Sequence, residues 1–264
     1  MIQIGVSGAA GKMGRRILAL ALADEGLRVN AALEAEGHEA IGQDVGHLAG
    51  TADIGIRVAS QLTSKVDVLL DFSSPSGAMA RLSECRKLAV PLIVGTTGLS
   101  EEQTQAVESA SQVIPCLIAA NMSTGVNLLA RLVADAAKSL GEGYDVEITE
   151  AHHRMKKDAP SGTALLLARA IAKAKGIRLD DVALYGRHGH TGERPSGVIG
   201  IHAVRGGDIF GDHTVLFAGD GERIELVHRA HSRDTLAKGA LRAAKFLSGK
   251  PPGLYTMDDV LGLK

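Results

Sequence analysis

Three glycines near the start of the chain have the spacing of a loop that binds phosphate. Gly8, Gly11 and Gly14 follow a short apolar run from Ile2 to Val6, and a helical pattern of apolar residues comes after them. A glycine turn between a strand and a helix lets backbone N–H groups and the helix dipole face a pyrophosphate. The spacing is G-x-x-G-x-x-G rather than G-x-G-x-x-G, so the glycines alone are a weak signal.

Glu34 strengthens this interpretation because it lies twenty residues after Gly14, at the end of the second predicted strand. An acidic side chain at that position can accept hydrogen bonds from the ribose hydroxyls of adenosine. The sequence therefore predicts a dinucleotide site rather than a glycine turn with an unrelated surface glutamate.

Two further turns follow predicted strands in the first half of the chain. Gly95, Thr96 and Thr97 come at the end of the fourth strand, and residues 120–122 come at the end of the fifth. The carboxyl ends of parallel strands form the ligand crevice of an open α/β sheet, so both turns are expected at one edge. Their short side chains would admit a nicotinamide ring, and their carbonyl groups could hold its carboxamide. Each turn taken alone is equally consistent with a simple connection.

A second group of reactive side chains lies between residues 150 and 163, where positive charge is concentrated beside a predicted helix start. The N–H groups of residues 161–163, a hydroxyl and the helix dipole would together form an anion site. Lys156 and one of two adjacent histidines could add charge-assisted hydrogen bonds to a carboxylate or donate a proton. A basic, solvated loop with an ordinary helix cap explains the same residues equally well.

The histidines do not form a metal-binding pattern. His152 and His153 are adjacent at a strand end, so their side chains point to opposite sides, and the sequence has no HExxH motif. We therefore expect no metal. The polar loop over residues 188–194 is expected to be structural or interfacial rather than catalytic. Four histidines in or beside predicted strands are expected to be ordinary core or surface residues: His202, His213, His228 and His231.

The elements that would position these residues change in character halfway along the chain. Strand and helix alternate five times before Asn121, which is typical of a doubly wound parallel sheet. The strands predicted there cover residues 2–6, 27–34, 66–72, 91–98 and 113–121. Alternating segments between residues 197 and 227 then indicate a mixed or antiparallel sheet. We predict an α/β protein with a Rossmann-type dinucleotide-binding domain over residues 1–123, on which residues 232–264 pack back. Residues 124–231 would form a second, α+β domain.

Composition excludes several classes of protein. The 264 residues are 45% apolar and 22% charged with a formal net charge of −1, which indicates a folded protein without the basic stripe of a nucleic-acid-binding surface. No apolar run approaches the length of roughly 18–20 residues that a bilayer requires, and the chain enters a strand at Ile2 without a signal sequence. The two cysteines have no neighbour at metal-ligand spacing, as in a reducing compartment. We expect a cytoplasmic protein with no nucleic-acid or membrane partner.

The segment EAHHRMKKDAPSGTA, residues 150–164, closely resembles the signature of the dihydrodipicolinate reductases, also called 4-hydroxy-tetrahydrodipicolinate reductases. The likeness spans nearly the whole chain through VSGAAGKMG, DFSSPSG, VGTTG, AANMSTGVN, GHTGER and HAVRGGDIFGDHT. It implies hydride transfer from NADH or NADPH to a cyclic, unsaturated dicarboxylate, giving tetrahydrodipicolinate in bacterial lysine and diaminopimelate biosynthesis. It also implies that the second domain binds the substrate and mediates oligomerisation. The protein would be a homotetramer in which the second domains form a shared sheet.

The resemblance also implies roles for individual residues. His152 would donate and accept a proton, and Lys156 would donate a proton and contact the substrate. The substrate would be bound by His153, Gly162 and Thr163, to which the predicted anion site adds Ser161. The cofactor would be bound by Gly8, Ala9, Ala10, Gly11, Lys12, Met13, Glu34, Gly95, Thr96, Thr97, Ala119, Ala120, Asn121 and Met122.

The chain departs from the family pattern directly after the ribose-binding acid. Many members have an arginine there, suited to the 2′-phosphate of NADPH, whereas this chain has Ala35 followed by Glu36. Loss of the guanidinium and an added negative charge should weaken NADPH binding, and only Lys12 and Arg15 are nearby cations in the sequence. We predict that NADH is used at least as well as NADPH.

Two other functions remain open from the sequence. One is another two-domain NAD(P)-dependent dehydrogenase of a small carboxylate, and the other is a non-catalytic dinucleotide-sensing protein. A thioester-forming semialdehyde dehydrogenase would need a nucleophilic cysteine in the second domain, but Cys85 and Cys116 both lie in the first. A sensor would have no reason to place His152 and Lys156 beside an anion-binding helix start.

Overall fold

The computed structural model describes residues 1–263 and divides into two compact units. The first comprises Met1–Thr124 and the C-terminal segment that begins at Arg233, and the second comprises Gly125–Ser232. The strands are β1 (Ile2–Ser7), β2 (Leu27–Leu33), β3 (Val68–Asp71), β4 (Leu92–Val94), β5 (Pro115–Ile118), β6 (Asp145–His152), β7 (Ala183–Tyr185), β8 (Ile199–Arg205), β9 (Gly211–Gly219), β10 (Glu222–Ala230) and β11 (Gly253–Tyr255). The α-helices are α1 (Lys12–Leu22), α2 (Val45–Ala49), α3 (Pro75–Leu88), α4 (Glu101–Ala110), α5 (Thr124–Leu140), α6 (Gly162–Ala174), α7 (Leu179–Val182), α8 (Asp234–Leu247) and α9 (Met257–Leu261).

The first unit is built on a parallel sheet with the strand order β11-β5-β4-β3-β1-β2. The order reverses at β1, which pairs with β2 on one side and with β3 on the other. All four residues of β3 are buried. Helices cover both faces of such a sheet, which is why its strands are continuous apolar runs in the sequence. The predicted doubly wound α/β fold is confirmed.

Helices α1 and α8 pack in the same core on one face of this sheet. Ile17 and Leu18 of α1 and Ala240 and Ala244 of α8 are all fully buried in a cluster with Val6 of β1. The C-terminal segment therefore completes the core of the first unit, and β11 extends the sheet beyond β5.

Helices α3 and α4 cover the opposite face. Leu82 and Cys85 of α3 and Val107 of α4 pack with Leu69 of β3 and with Cys116 of β5. Both cysteines are free and buried, and burial raises the pKa of Cys116 to about 12. Neither thiol is therefore a nucleophile at neutral pH.

The second unit contains a mixed sheet with the order β10-β9-β6-β8-β7. β6 pairs parallel to β8 and antiparallel to β9, and β9 pairs antiparallel to β10. Val133 of α5 and Leu167 and Ile171 of α6 pack on Val146 and Ile148 of β6. Because side chains alternate along a strand, the next two residues on this covered face of β6 are Glu150 and His152. The mixed sheet of the second unit was also predicted correctly.

Several elements differ from the sequence prediction at their ends or in number. The fourth strand ends at Val94, so Gly95–Gly98 form a turn rather than the end of a strand. The short elements α2, α7, α9, β7 and β11 were not predicted because runs of three to five residues carry no readable period.

Gly239 sets the distance between α8 and the turn after β5. A Cβ built at this position would lie 1.7 Å from the carbonyl oxygen of Met122. We predict that Gly239→Ala lowers the free energy of unfolding by about 1–3 kcal/mol, because the steric cost exceeds the higher helix propensity of alanine. Urea denaturation followed by circular dichroism measures this change.

Lys238→Ala, on the exposed side of the same helix, is the matched control and should stay within about 0.5 kcal/mol of the parent chain. Equal stability of the Gly239→Ala and Lys238→Ala variants would show that this contact does not constrain the helix.

Candidate active site

The glycine loop of the first unit is a compact turn with two positions that have no room for a side chain. Gly8 has a φ of +74°, and a Cβ there would lie 2.3 Å from the carbonyl oxygen of Phe72. A Cβ at Gly14 would lie 2.1 Å from the carbonyl oxygen of Gly8, so the first turn of α1 packs directly on the loop. Gly11 is the N-cap residue of α1. The N-terminal amides of a helix therefore lie at the carboxyl end of β1, as an anion-binding loop requires.

Glu34 lies beside this loop, as the sequence predicts. Its Oε1 accepts a hydrogen bond of 2.7 Å from the N–H of Ala10. The loop and Glu34 line a cavity of about 300 Å³, together with Ala35, His38 and Arg81.

The arginine of this cavity is already paired. Arg81 donates to the carbonyl oxygen of Ser60 at 2.8 Å and lies 2.9 Å from the Glu84 carboxylate. Arg15 donates to the carbonyl oxygen of Ala10 at 2.8 Å, and Lys12 is exposed. The sequence pattern does not predict Arg81 at this cavity, because it lies far from Glu34 along the chain and reaches the cavity from α3.

The turn after β4 is fixed by a buried aspartate. Asp71 accepts hydrogen bonds from the hydroxyls of Ser73 at 2.7 Å and Thr96 at 2.5 Å, and the N–H of Ser73 donates to Thr96 Oγ1 at 2.9 Å. The Thr96 side chain therefore points inward, and this turn offers its backbone to a ligand. A Cβ at Gly95 would meet the ring of Phe72 at 2.4 Å, so glycine is required there.

The turn after β5 lies at the same edge of the parallel sheet. The N–H of Ala119 donates to the carbonyl oxygen of Val94, and Asn121 Oδ1 accepts from the N–H of Ser123 at 2.9 Å. The Met122 side chain is buried in the core, so it shapes the turn from behind. The structure thus brings the glycine loop and both predicted turns together at the carboxyl ends of β1, β4 and β5.

The second unit contains a fully buried carboxylate beside His152. Glu150 has no exposed surface, and its Oε2 lies 2.6 Å from Nδ1 of His152. Arg205 donates to both carboxylate oxygens at 2.8 Å, and the N–H of Ser161 donates to Oε1 at 3.0 Å. We call Glu150, His152, Ser161, Arg205 and His213 the Glu150 network.

These contacts determine the protonation of the network. Burial opposes ionisation of Glu150, but the hydrogen bonds from Arg205, His152 and Ser161 outweigh it and hold the pKa of this carboxyl below its ordinary value. Glu150 is therefore an anion, and His152 donates to it through Nδ1. Nε2 of His152 has no hydrogen-bond partner within residues 1–263, which leaves this atom to take up or release a proton.

His213 is the member of the network whose position the sequence did not predict. It is a core residue, 3% exposed, which agrees with the expectation, and its ring lies edge-on to that of His152, with centroids 5.2 Å apart. The antiparallel register of β6 and β9 places it opposite Glu150. Burial lowers the pKa of His213 to about 4, so this ring is neutral. Only that long-range register could have revealed it.

Lys156 lies near the network but is held by its neighbour. Its Nζ lies 2.9 and 3.0 Å from the two oxygens of the Asp158 carboxylate, and the carbonyl oxygen of Asp158 accepts from Arg205 at 2.6 Å. The N–H of His153 donates to the carbonyl oxygen of Ile209, and its side chain is partly exposed. The structure thus connects Lys156 to the network through Asp158 and Arg205.

The predicted anion site is the first turn of α6. Ser161 is its N-cap residue, and its Oγ accepts from the N–H of Ala164 at 3.2 Å and contacts Nε2 of His213 at 3.1 Å. The polar atoms of Ser161 are thus engaged within the protein, and the following residues, Gly162 and Thr163, begin the helix. In the part of the chain described, no three His, Cys, Asp or Glu side chains are grouped to hold a metal ion. None of its helices is both long and apolar enough to span a bilayer.

Comparison with known proteins identifies relatives over the full length of the chain. Residues 2–122 match the family model described as dihydrodipicolinate reductase, N-terminus, and residues 125–261 match the one described as dihydrodipicolinate reductase, C-terminus. The 4-hydroxy-tetrahydrodipicolinate reductase of Nitrosomonas europaea is 51% identical over 100% of this chain and 99% of its own. The enzyme of the same name from Syntrophobacter fumaroxidans is 47% identical over 100% of both chains.

A solved structure is similar to both units. Dipicolinate-bound dihydrodipicolinate reductase from Paenisporosarcina sp. TG-14 is 28% identical, with a TM-score of 0.77 over 97% of each chain.

Removing the buried carboxylate tests how strongly the second unit depends on it. We predict that Glu150→Ala lowers the free energy of unfolding by about 3 kcal/mol, because it leaves Arg205 without its charged partner and empties a buried position. Urea denaturation followed by circular dichroism measures the change.

Asp158→Asn is the matched control because its carboxylate is 65% exposed, and it should cost less than about 1 kcal/mol. A Glu150→Ala variant as stable as Asp158→Asn would contradict the central place of this carboxylate.

Proposed function

The chain belongs to the dihydrodipicolinate reductase family, and on this premise we propose that it reduces 4-hydroxy-tetrahydrodipicolinate to tetrahydrodipicolinate. The hydride would come from a nicotinamide cofactor, and the reaction would serve lysine and diaminopimelate biosynthesis. The observation that carries the proposal is the Glu150–His152 pair. Ser161 connects it to the start of α6, and Arg205 and Asp158 connect it to Lys156. A non-catalytic dinucleotide sensor would have no use for this arrangement.

The residues of the first unit fit a nicotinamide dinucleotide. Glu34 lines the cavity of about 300 Å³ at the glycine loop. Because Gly14 has no Cβ, the start of α1 can pack closely on this loop. Ala9, Ala10, Lys12 and Met13 would surround the pyrophosphate with Gly8 and Gly11, and Glu34 would accept from the ribose hydroxyls. The backbones of Gly95–Thr97 and Ala119–Met122 would hold the nicotinamide. The bound cofactor supplies the hydride.

The residues of the second unit suit a dicarboxylate. The relative from Paenisporosarcina binds dipicolinate, and we propose a ligand of the same class here. The backbone N–H groups of Gly162 and Thr163 at the start of α6 would donate hydrogen bonds to one carboxylate. Lys156 and His153 would add charge-assisted hydrogen bonds. Ser161 would contribute by holding that helix start in place, since its own polar atoms are engaged.

His152 is proposed to move the proton that completes the reduction. Loss of the 4-hydroxyl group of the substrate as water gives a conjugated double-bond system. Adding hydride to one end of this system leaves negative charge at the other end, which a proton must neutralise. Nε2 of His152 would give this proton, and the ionised Glu150 at Nδ1 would stabilise the imidazolium beforehand and fix the ring orientation. Lys156 would leave Asp158 to contact the substrate, where it also has a proton to donate.

We propose further that the protein works in the cytoplasm as a homotetramer built through the second unit. The support is the family likeness and the exposed apolar side chains on the sheet of that unit. Val204 of β8 and Val227 of β10 lie on the face of the sheet that the helices leave open, and they are 47% and 42% exposed. Side chains of this kind on one sheet are typical of a surface that another subunit covers.

Lys156→Ala tests the reaction and the role of the lysine together. We predict that kcat falls by about 10²- to 10⁴-fold because a proton donor and substrate contact is lost, while the Kd of the cofactor stays unchanged. His152→Ala should behave similarly but keep more activity, since water can partly replace an acid–base group. The decrease in NADH or NADPH absorbance with freshly prepared substrate measures turnover, and calorimetry measures cofactor binding.

Lys157→Ala, at the adjacent exposed lysine, is the matched control and should retain full turnover. Normal turnover of Lys156→Ala would remove the lysine from the mechanism. No turnover of the unmodified chain with either cofactor would overturn the proposed reaction.

Ala35→Arg tests which cofactor the first unit prefers. The unmodified chain should have a kcat/KM for NADH at least equal to that for NADPH, because Ala35 brings no charge and Arg81 is already paired with Glu84. We predict that Ala35→Arg raises the NADPH/NADH ratio of kcat/KM by about tenfold through a bidentate contact with the 2′-phosphate. Steady-state kinetics with both cofactors measure the ratio.

Ala35→Gln has a long polar side chain without charge and should leave the ratio nearly unchanged. A clear preference of the unmodified chain for NADPH would show that the prediction of NADH use is wrong.

A further inference from the structure

We infer that His213 is a positioning residue of the proposed reductase: its hydrogen bond to Ser161 holds the start of α6 in register with the His152 ring. This inference rests on the proposed function for its kinetic test. A second readout, the binding of dipicolinate, does not need turnover.

Ser161 is the point at which two arms of the Glu150 network meet. Its N–H donates to Glu150 at 3.0 Å, and its Oγ contacts Nε2 of His213 at 3.1 Å. Glu150 and His213 in turn contact His152 on two sides, one through Nδ1 at 2.6 Å and the other edge-on, with ring centroids 5.2 Å apart. The proton-transferring ring and the proposed carboxylate-binding helix start are therefore tied to each other.

The hydrogen bond between Ser161 and His213 forms with either tautomer of the neutral ring. Ser161 Oγ accepts from the N–H of Ala164 and still has one hydrogen to donate and one lone pair to accept with, so either Oγ or Nε2 of His213 can be the donor. Nδ1 of His213 is buried and has no hydrogen-bond partner in the described chain. An unpartnered buried polar group costs about 1–3 kcal/mol, which a purely structural apolar ring would avoid.

Burial keeps His213 neutral, and the charges around it have a smaller effect. The pKa of His213 is lowered to about 4, mainly by burial and next by the charge of a protonated His152. The other titratable or charged groups around the pair come from four elements, and they are Glu150 on β6, Arg205 on β8, His228 on β10 and Lys156 in the loop before α6. Because His213 does not become a cation, it does not oppose protonation of the neighbouring ring.

Strand β9 also shapes the free edge of His152. A Cβ at Gly211 would lie 3.0 Å from Nε2 of His152 and 3.6 Å from Cε1 of His213. Glycine at this position keeps space at the atom that would exchange the proton. Two residues of one strand, at positions 211 and 213, thus set the surroundings of the same imidazole.

Two substitutions of His213 distinguish a role of its hydrogen bond to Ser161 from a role of its ring in packing. His213→Phe keeps a ring that can pack against His152 but loses the bond to Ser161. His213→Gln loses the ring but can place its amide where Nε2 lies. If the hydrogen bond positions the site, kcat and the affinity for dipicolinate fall by about 10- to 100-fold in His213→Phe and stay within about threefold in His213→Gln. If the ring only fills space, the order of the two variants is reversed, and this result overturns the inference.

His228→Phe is the matched control because His228 neighbours His213 at 6.5 Å between centroids and has no described contact with His152. It should keep full turnover. The Kd of the cofactor should be unchanged in all variants, and circular dichroism establishes that each is folded.

Ser161→Ala removes the same hydrogen bond from the other side and serves if His213→Phe does not fold. It should show the same losses, and normal turnover and dipicolinate affinity in Ser161→Ala would also overturn the inference. If the unmodified chain has no turnover but binds dipicolinate, the proposed reaction is wrong. The dipicolinate affinities of the variants then still test the role of His213.

Discussion

The second unit depends on one buried carboxylate. Glu150 has no exposed surface, and taking an ionised carboxylate out of water costs several kcal/mol unless its oxygens are fully hydrogen-bonded. Four donor groups meet this requirement: two N–H groups of Arg205, the N–H of Ser161 and Nδ1 of His152. They come from β8, from the start of α6 and from β6 itself. A single charge therefore fixes two strands and a helix start relative to one another.

This constraint explains how the proposed proton transfer and the proposed anion binding could share one place in the fold. The amides of a helix start attract a carboxylate, but an unpaired Glu150 behind them would repel it. Arg205 cancels that negative charge and also holds the carbonyl oxygen of Asp158, at the end of the loop that contains Lys156. The same guanidinium thus anchors the segment that leads to the proposed anion site and would shield that site from the charge of Glu150.

The local sequence pattern was sufficient to predict features that lie within one strand–turn–helix segment or at the end of the next strand. The glycine loop and Glu34 could be placed together because the loop ends β1, Glu34 follows β2, and the two strands are neighbours in a parallel sheet. His213 could not be placed because its position depends on which residue of β6 it faces, and local periodicity does not specify an antiparallel register. The role of the buried Asp71, which fixes the turn at Thr96, could not be predicted for a related reason. Its partners are 2 and 25 residues away, and they meet only when β3 and β4 are paired.

The side chains around His152 have charges that cancel one another, so the net charge of this set would depend on the proton of His152 alone. Glu150 is paired with Arg205, and Lys156 is paired with Asp158, so these four side chains sum to zero. His213 adds no charge because burial keeps it neutral. A proton on His152 then leaves one net positive charge on this set of side chains, and a dicarboxylate would bring the negative charge that favours it. Loss of this proton to the reduced substrate would return the set to neutrality, which weakens its attraction for the dianionic product. The same groups that would hold the substrate would in this way also favour its release after reduction.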